Sequence, residues 1–213
     1  MGFLPLVPSA HASAWTSGPD RRGREELVDQ VLRRDGQRCR FCGHLAPGWQ
    51  EIFHRDGDHH NWSPDNLATA CTLCHGVQHL GRPMIEQEVA LIWLPEMSQA
   101  ALNSVVRRIH LILYAHDEPA GLGEPLRAQG PEAHAAVAAY RALSDEARTL
   151  EARIHSASAR DLGAVLLGLT DMPEAKRAGW LGGIRLLHRG RHYRGGRDIY
   201  PQILAGWATE AAS

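Results

Sequence analysis

The sequence predicts an α+β protein, with a small zinc-held hairpin-and-helix unit first and a mainly α-helical half after it. Three observations carry that reading. All four cysteines fall in two C-x-x-C pairs, Cys39/Cys42 and Cys71/Cys74, with 28 residues between the pairs. The segment between them alternates short strand-like runs with turn residues. Beyond residue 116 a Pro- and Gly-rich stretch gives way to Ala-rich sequence of helical character.

The cysteine spacing is the strongest local signal. Two thiolates three positions apart on a tight turn chelate one ion, and two such turns complete a tetrahedral all-sulfur shell that suits Zn2+. Gly43, directly after the first pair, supplies the backbone freedom such a turn needs. Two disulfides, or four unrelated buried thiols, are the competing readings. The N-terminus disfavours disulfides: it has no basic segment, and Pro5 and Pro8 interrupt its short apolar run, unlike a secretory signal. One structural Zn2+ on Cys39, Cys42, Cys71 and Cys74 is therefore expected, in a cytoplasmic protein.

Composition bounds the rest. A chain of 213 residues with 44% hydrophobic content fits one medium domain or two small ones. A formal net charge of −1 provides no global positive field, which argues against a dedicated nucleic-acid binder. No run approaches the 18 or so apolar residues that a membrane span requires.

Taken in order, residues 1–19 read as extended surface chain or an edge strand, with Phe3, Leu4, Leu6 and Val7 docking on the core. A short amphipathic helix follows over 24–34, burying Leu27, Val28, Val31 and Leu32 and ending at Gly36. The arginines of 21–40 alternate with acids and read as a solvated face. WQEIFH at 49–54 reads as a strand, with turns at Asp56-Gly57-Asp58 and Ser63-Pro64-Asp65-Asn66. The second cysteine pair opens a helix through His79. The apolar run 86–94 reads as a buried strand. Ser98 caps a helix to about 115 that turns Leu102, Val105, Val106, Ile109 and Ile112 or Leu113 inward. Residues 117–131 form a hinge-like stretch. Beyond it, 132–156 suits one helix, or two meeting near Ser144-Asp145. A helix over 158–169 follows, closed by Asp171-Met172-Pro173, and helix is expected again over 174–187. The basic stretch 185–197 reads either as a solvated loop or as a contact for an acidic partner or, less so, nucleic acid. Ile199, Tyr200, Ile203, Leu204 and Trp207 pack back on the core or face a partner. The division expected is 1–116, 117–131 and 132–213.

The segment IFHRDGDH, then PDNL, then C-x-x-C-H-x-x-x-H resembles the HNH (ββα-metal) nuclease core built around a four-cysteine zinc shell. By that resemblance His54 falls on the general base and Asn66 on the residue that orients it. His75 and His79 fall on the helix-borne metal ligands. Phe53 stands where the family carries its first metal-binding histidine. A phenyl ring binds no metal, and His59 and His60 lie beyond the turn, on the far side of the hairpin. The resemblance thus implies a vestigial nuclease, with His54, Asn66, His75 and His79 as relics. The stretches LIWLPEMSQAALN (91–103) and GGRDIYPQILAGW (195–207), with the degenerate core and the chain length, are similar to the IcmJ/DotN family of type IVB secretion systems.

That likeness implies a non-catalytic adaptor in the cytoplasm, reaching the inner face of the inner membrane only through partners. Those partners are the C-terminal tail of a coupling ATPase and other secretion adaptors, and the task is to help recruit effectors. The alternative is a metal-dependent HNH endonuclease: His54 as base, Asn66 orienting it, and His75 and His79 holding the ion with help from His59 or Asp58. A zinc module that binds nucleic acid without cutting it is weakened by the near-neutral charge and the lack of an aromatic stacking face.

Overall fold

A short hairpin, a buried strand pair and a set of helices pack around three apolar clusters in the computed structural model, which describes residues 2–10, 21–120, 130–169 and 174–211. Residues 11–19 of the expected extended segment, most of the hinge-like stretch and the Asp171-Met172-Pro173 break lie outside the described residues.

Helix α1 (Arg21–Arg34) leads into the first cysteine turn. Strands β1 (Gln50–His54) and β2 (Leu67–Cys71) form an antiparallel hairpin in which Phe53 opposes Ala68 and Gln50 opposes Cys71. A 3-10 turn, Pro64–Asn66, connects them after the Asp56-Gly57-Asp58 turn. Helix α2 (Thr72–Val77) starts directly at Cys71. It ends at Val77, two residues before His79, because the chain passes at Gln78 into a turn in which the His79 amide donates to the Gly76 carbonyl.

The apolar run splits into α3 (Ile85–Glu88) and β3 (Val89–Trp93). Helix α4 (Gln99–Ala115) is capped by Ser98, whose hydroxyl accepts from the Ala101 amide. It buries Leu102, Val106, Ile109 and Leu113, while Val105, expected inside, is exposed. Helix α5 (Pro131–Ile154) is continuous over 24 residues. The Ser144 hydroxyl donates back to the Tyr140 carbonyl rather than capping a second helix. Helix α6 (Ala159–Leu167) is capped by Ser158, and α7 (Glu174–Leu181) follows.

Past α7 the expectation of helix fails. Residues 184–188 form strand β4 (Ile184–His188), antiparallel to β3 with Leu186 opposite Leu91. Gly182, at φ +50°, ends α7, and the backbone of Gly183 lies so close to Pro95 that a Cβ there would meet it at 2.9 Å. The later half therefore contributes a strand to the interior of the earlier one. Val89, Leu91, Ile184 and Leu186 face one cluster with Leu150, Leu166 and Leu181. Ile92 and Leu187 face another with Leu102, Val106, Val137 and Tyr140. Burial on both faces explains why VALIW lacks the alternation of a half-exposed strand.

Strands β5 (Tyr193–Arg194) and β6 (Arg197–Asp198) make a two-residue hairpin before α8 (Tyr200–Ala211). The basic stretch is thus ordered strand and hairpin. Its arginines largely donate to the protein itself: Arg185 to the Met97 carbonyl at 2.6 Å, Arg189 to the Val89 carbonyl at 3.0 Å, and Arg194 to Glu51 at 3.1 Å. At the other end, Leu4 and Ser9 hydrogen-bond to Arg40 and Val77 as extended chain. Leu4, Leu6 and Val7 pack on the core, whereas Phe3 is exposed. Among the described residues no helix is long and apolar enough to cross a membrane.

Asp35, just after α1, is a tie that sequence reading places on a solvated face. Its carboxylate accepts from both Arg34 nitrogens at 2.9 and 3.0 Å, from Arg40 at 3.3 Å, and from the Thr69 amide of β2 at 2.9 Å. Burial alone would raise its pKa, yet the bonds from Arg34 and Thr69 outweigh it and hold the carboxyl below its usual range. A depressed folded-state pKa means that the stabilisation is complete above the unfolded value, about 4, and is lost as pH falls through the folded one. The melting temperature is accordingly expected to drop below about pH 4, and Asp35→Asn is expected to flatten part of that dependence in melts run across pH.

Candidate metal centre

The first cysteine pair sits on a turn closed by the Cys39 amide on the His44 carbonyl and the Gly43 amide on the Cys39 carbonyl. Gly43 adopts φ +75°, the conformation expected of it. The Arg40 amide donates to Thr69 in β2 and fastens the turn beside the second pair, whose Cys71 ends β2 and whose Cys74 lies one turn into α2. The four sulfur atoms lie within 4.8 Å of one another. Cys42 Sγ and Cys71 Sγ are 3.7 Å apart. A tetrahedron with metal–sulfur bonds of about 2.3 Å has edges of about 3.8 Å, so the donor set fits one thiophilic ion. Cys39, Cys71 and Cys74 are buried and Cys42 is half-buried.

The electrostatics agree with that fit. The hydrogen bond with Cys39 is the main cause that pulls the Cys42 thiol down, while burial is the main cause that pushes Cys74 up. Cys39 is also lowered and Cys71 raised, each through its sulfur neighbours. Crowded thiolates repel one another, and a cation bound among them would offset that repulsion.

Two residues of α4 complete the surroundings, and the sequence alone does not mark them as site residues. Asn103 Nδ2 donates to Cys74 Sγ at 3.3 Å, and the Arg107 guanidinium donates to Cys42 Sγ at 3.6 Å. Asn103 is itself held by Gln99, whose amide nitrogen donates to it at 2.9 Å. Gln99 also exchanges two hydrogen bonds with the backbone of Leu186 in β4. A buried polar chain thus runs from β4 through α4 to the sulfurs. The one available signal was a Gln and an Asn four apart on the inner face of an apolar helix, and nothing local says that they face a cysteine. Partners of metal ligands typically contribute 10–100-fold to affinity. Asn103→Ala is expected to weaken metal binding by about that factor, measured by competition with a chromophoric chelator.

The histidines gather on the other side of the hairpin. His75 Nδ1 lies 2.6 Å from Glu51 Oε2, and His75 Nε2 lies 3.1 Å from His79 Nε2. Glu51 is held down to about 2 although burial opposes it, because His75, His192 and Arg194 surround it. His59, expected on the far side, folds back over the hairpin, its ring 4.8 Å from His54 and 5.4 Å from His79. The Asp58-to-Asp56 and Asn61-to-Asp56 bonds curl the loop and bring it there. Asn66 directs its amide at Asp56 and at the Asn61 carbonyl, bracing this loop. Both ring nitrogens of His54 are buried without a hydrogen-bond partner. Phe53 is buried, packing edge-on against Phe41, His75 and His79. From α8, Tyr200, Ile203, Leu204 and Trp207 close the cysteine cluster from outside.

No protein-family model matches the chain. Among curated proteins it is similar to the type 4 apparatus protein DotN of Legionella pneumophila, at 38% identity over 84 residues. That match covers 36% of this chain and 36% of the relative, little more than a third of the relative's length. It supports the IcmJ/DotN resemblance drawn from the sequence.

Proposed function

We propose, from this chain's kinship with the IcmJ/DotN family, that it is a non-catalytic adaptor of a type IVB secretion coupling complex. One structural Zn2+ on Cys39, Cys42, Cys71 and Cys74 holds its scaffold. Its partners are the C-terminal tail of the coupling ATPase and fellow adaptors, and through them it works in the cytoplasm at the inner face of the inner membrane to help recruit effectors. The observation that carries the reading is the closed donor set. Four sulfurs at tetrahedral spacing complete the shell of one zinc, whereas a catalytic zinc keeps one position for water or substrate. Phe53, apolar and buried, supports the same conclusion for the hairpin, where the HNH likeness requires a metal-binding histidine. A rigid metal-held scaffold suits an adaptor, because it loses little ordering entropy when a flexible tail docks.

The test is calorimetric titration of the purified protein with the C-terminal tail of a type IVB coupling ATPase. Saturable binding is expected, and an absence of heat and of co-elution removes the adaptor reading. A parallel assay for nicking of plasmid DNA with Mg2+ or Mn2+ should show nothing above the His54→Ala background.

A further inference from the structure

We propose that Cys42 is an oxidation site for hydroperoxides, with Arg107 as the donor beside its sulfur and Cys71 as the resolving thiol. Oxidation there dismantles the four-sulfur shell, so the proposal rests on the zinc reading of that centre and adds a control over it.

Three observations converge on Cys42. It is the one half-buried cysteine of the four, whereas Cys39 is 1% exposed and Cys71 and Cys74 are 0% exposed. It alone among them lines an open hollow of about 460 Å3, which Arg38, Arg107 and Arg108 also line and to which no carboxylate contributes. Thiolates react in electropositive, partly exposed surroundings of this kind, and buried ones stay inert. Within the hollow the Arg107 guanidinium donates to Cys42 Sγ at 3.6 Å and to the Ser104 hydroxyl at 3.4 Å, which holds it at the sulfur. Finally, Cys71 Sγ, from the other C-x-x-C pair, stands 3.7 Å from Cys42 Sγ. A disulfide of about 2.05 Å then needs only a short approach of the two turns.

The chemistry follows from that geometry. The Cys42 thiolate attacks the terminal oxygen of the hydroperoxide: an S–O bond forms, the O–O bond breaks, and the second oxygen leaves with the electron pair. Arg107 supplies a cationic donor where that charge develops. The departing oxygen takes a proton from solvent and leaves as an alcohol, or as water from hydrogen peroxide. The sulfur, oxidised by two electrons, is now a sulfenic acid. Cys71 Sγ attacks it, the S–S bond forms, the S–O bond breaks, and the hydroxide released takes a second proton. Two thiolates, two protons and one hydroperoxide thus give a disulfide, water and an alcohol. Only Cys39 and Cys74 then remain as donors, too few for a four-coordinate zinc. A guanidinium that did no more than offset the charge of the sulfurs would impose no preferred disulfide.

The test treats the zinc-loaded protein with hydrogen peroxide and follows released zinc with a chromophoric chelator, once zinc per chain has been measured. One zinc per chain is expected at the start, and its absence refutes the zinc reading itself. Zinc that stays bound, with all four thiols reduced, at a peroxide concentration that fully oxidises glutathione in a parallel sample overturns this proposal alone. Peptide mapping of the first oxidation product should show Cys42 joined to Cys71, and a first disulfide within either C-x-x-C pair overturns the proposal too. Arg107→Ala is expected to carry one zinc and to release it about tenfold more slowly, as follows from the loss of one hydrogen bond to a charged group. Unchanged or faster release from that variant overturns the part given to Arg107. If Arg107→Ala does not retain zinc, the peptide map of the unaltered protein decides.

Discussion

Cys71→Ser is expected to abolish stoichiometric metal binding and to unfold the hairpin together with α2. Cys71 is fully buried, ends β2, begins α2 and places its sulfur 3.7 Å from Cys42, so three elements meet at one atom. Metal affinity and local folding are one quantity at such a site, with structural zinc contributing about 10–16 kcal/mol in isolated zinc-finger peptides. That is comparable with the ~5–15 kcal/mol total stability of an ordinary domain. A serine also leaves three crowded sulfurs without the charge that reconciles them. The check is metal content per chain together with a far-ultraviolet circular dichroism melt. A variant that kept both its metal and its melting temperature would refute the assignment of the four sulfurs to one ion.

Trp207→Ala carries the second largest expected effect, a loss of about 3–5 kcal/mol. Trp207 is 1% exposed, stacks edge-on against His44 and Tyr200, and belongs to the same apolar cluster as the four cysteines. Its removal opens a cavity directly over the first cysteine turn, and the neighbours that could collapse into it are pinned. Gly206 is already so close to Trp49 that no side chain fits there, and the buried Tyr200 hydroxyl is 2.7 Å from His110 Nδ1. Denaturant unfolding should show a lower midpoint with an unchanged slope. A shift worth under about 1 kcal/mol would mean that α8 does not brace the centre.

These two sites lie 136 positions apart in the chain and differ in how legible they are. The cysteine pairs announce themselves, because chelation by a tight turn is a local property and its spacing is written in four residues. The same holds for the Ser98 cap, the turn at Asp56-Gly57-Asp58 and the β1 strand, each set by backbone preferences within a few positions. Helix α8 was legible as an apolar face, but not its destination, since periodicity states which residues seek burial and not against what.

Where local preference and packing disagreed, packing prevailed. Residues 184–188 carry no strong strand signature, and they become β4 because β3 offers an unpaired edge and apolar clusters lie on both sides of it. Asn103 and Arg107 read as ordinary members of α4 until the fold lays that helix across the sulfurs, and Asp35 reads as one charge among many until β2 presents the Thr69 amide to it. His59 was assigned to the wrong side of the hairpin, because the curl that returns it depends on side-chain bonds within the loop. Residue order by itself therefore determined the four-cysteine donor set and most helices. The tertiary structure alone decided the β3–β4 pairing, the second layer around the sulfurs and the gathering of histidines, because each depends on atoms distant in sequence meeting in a space too crowded for any alternative.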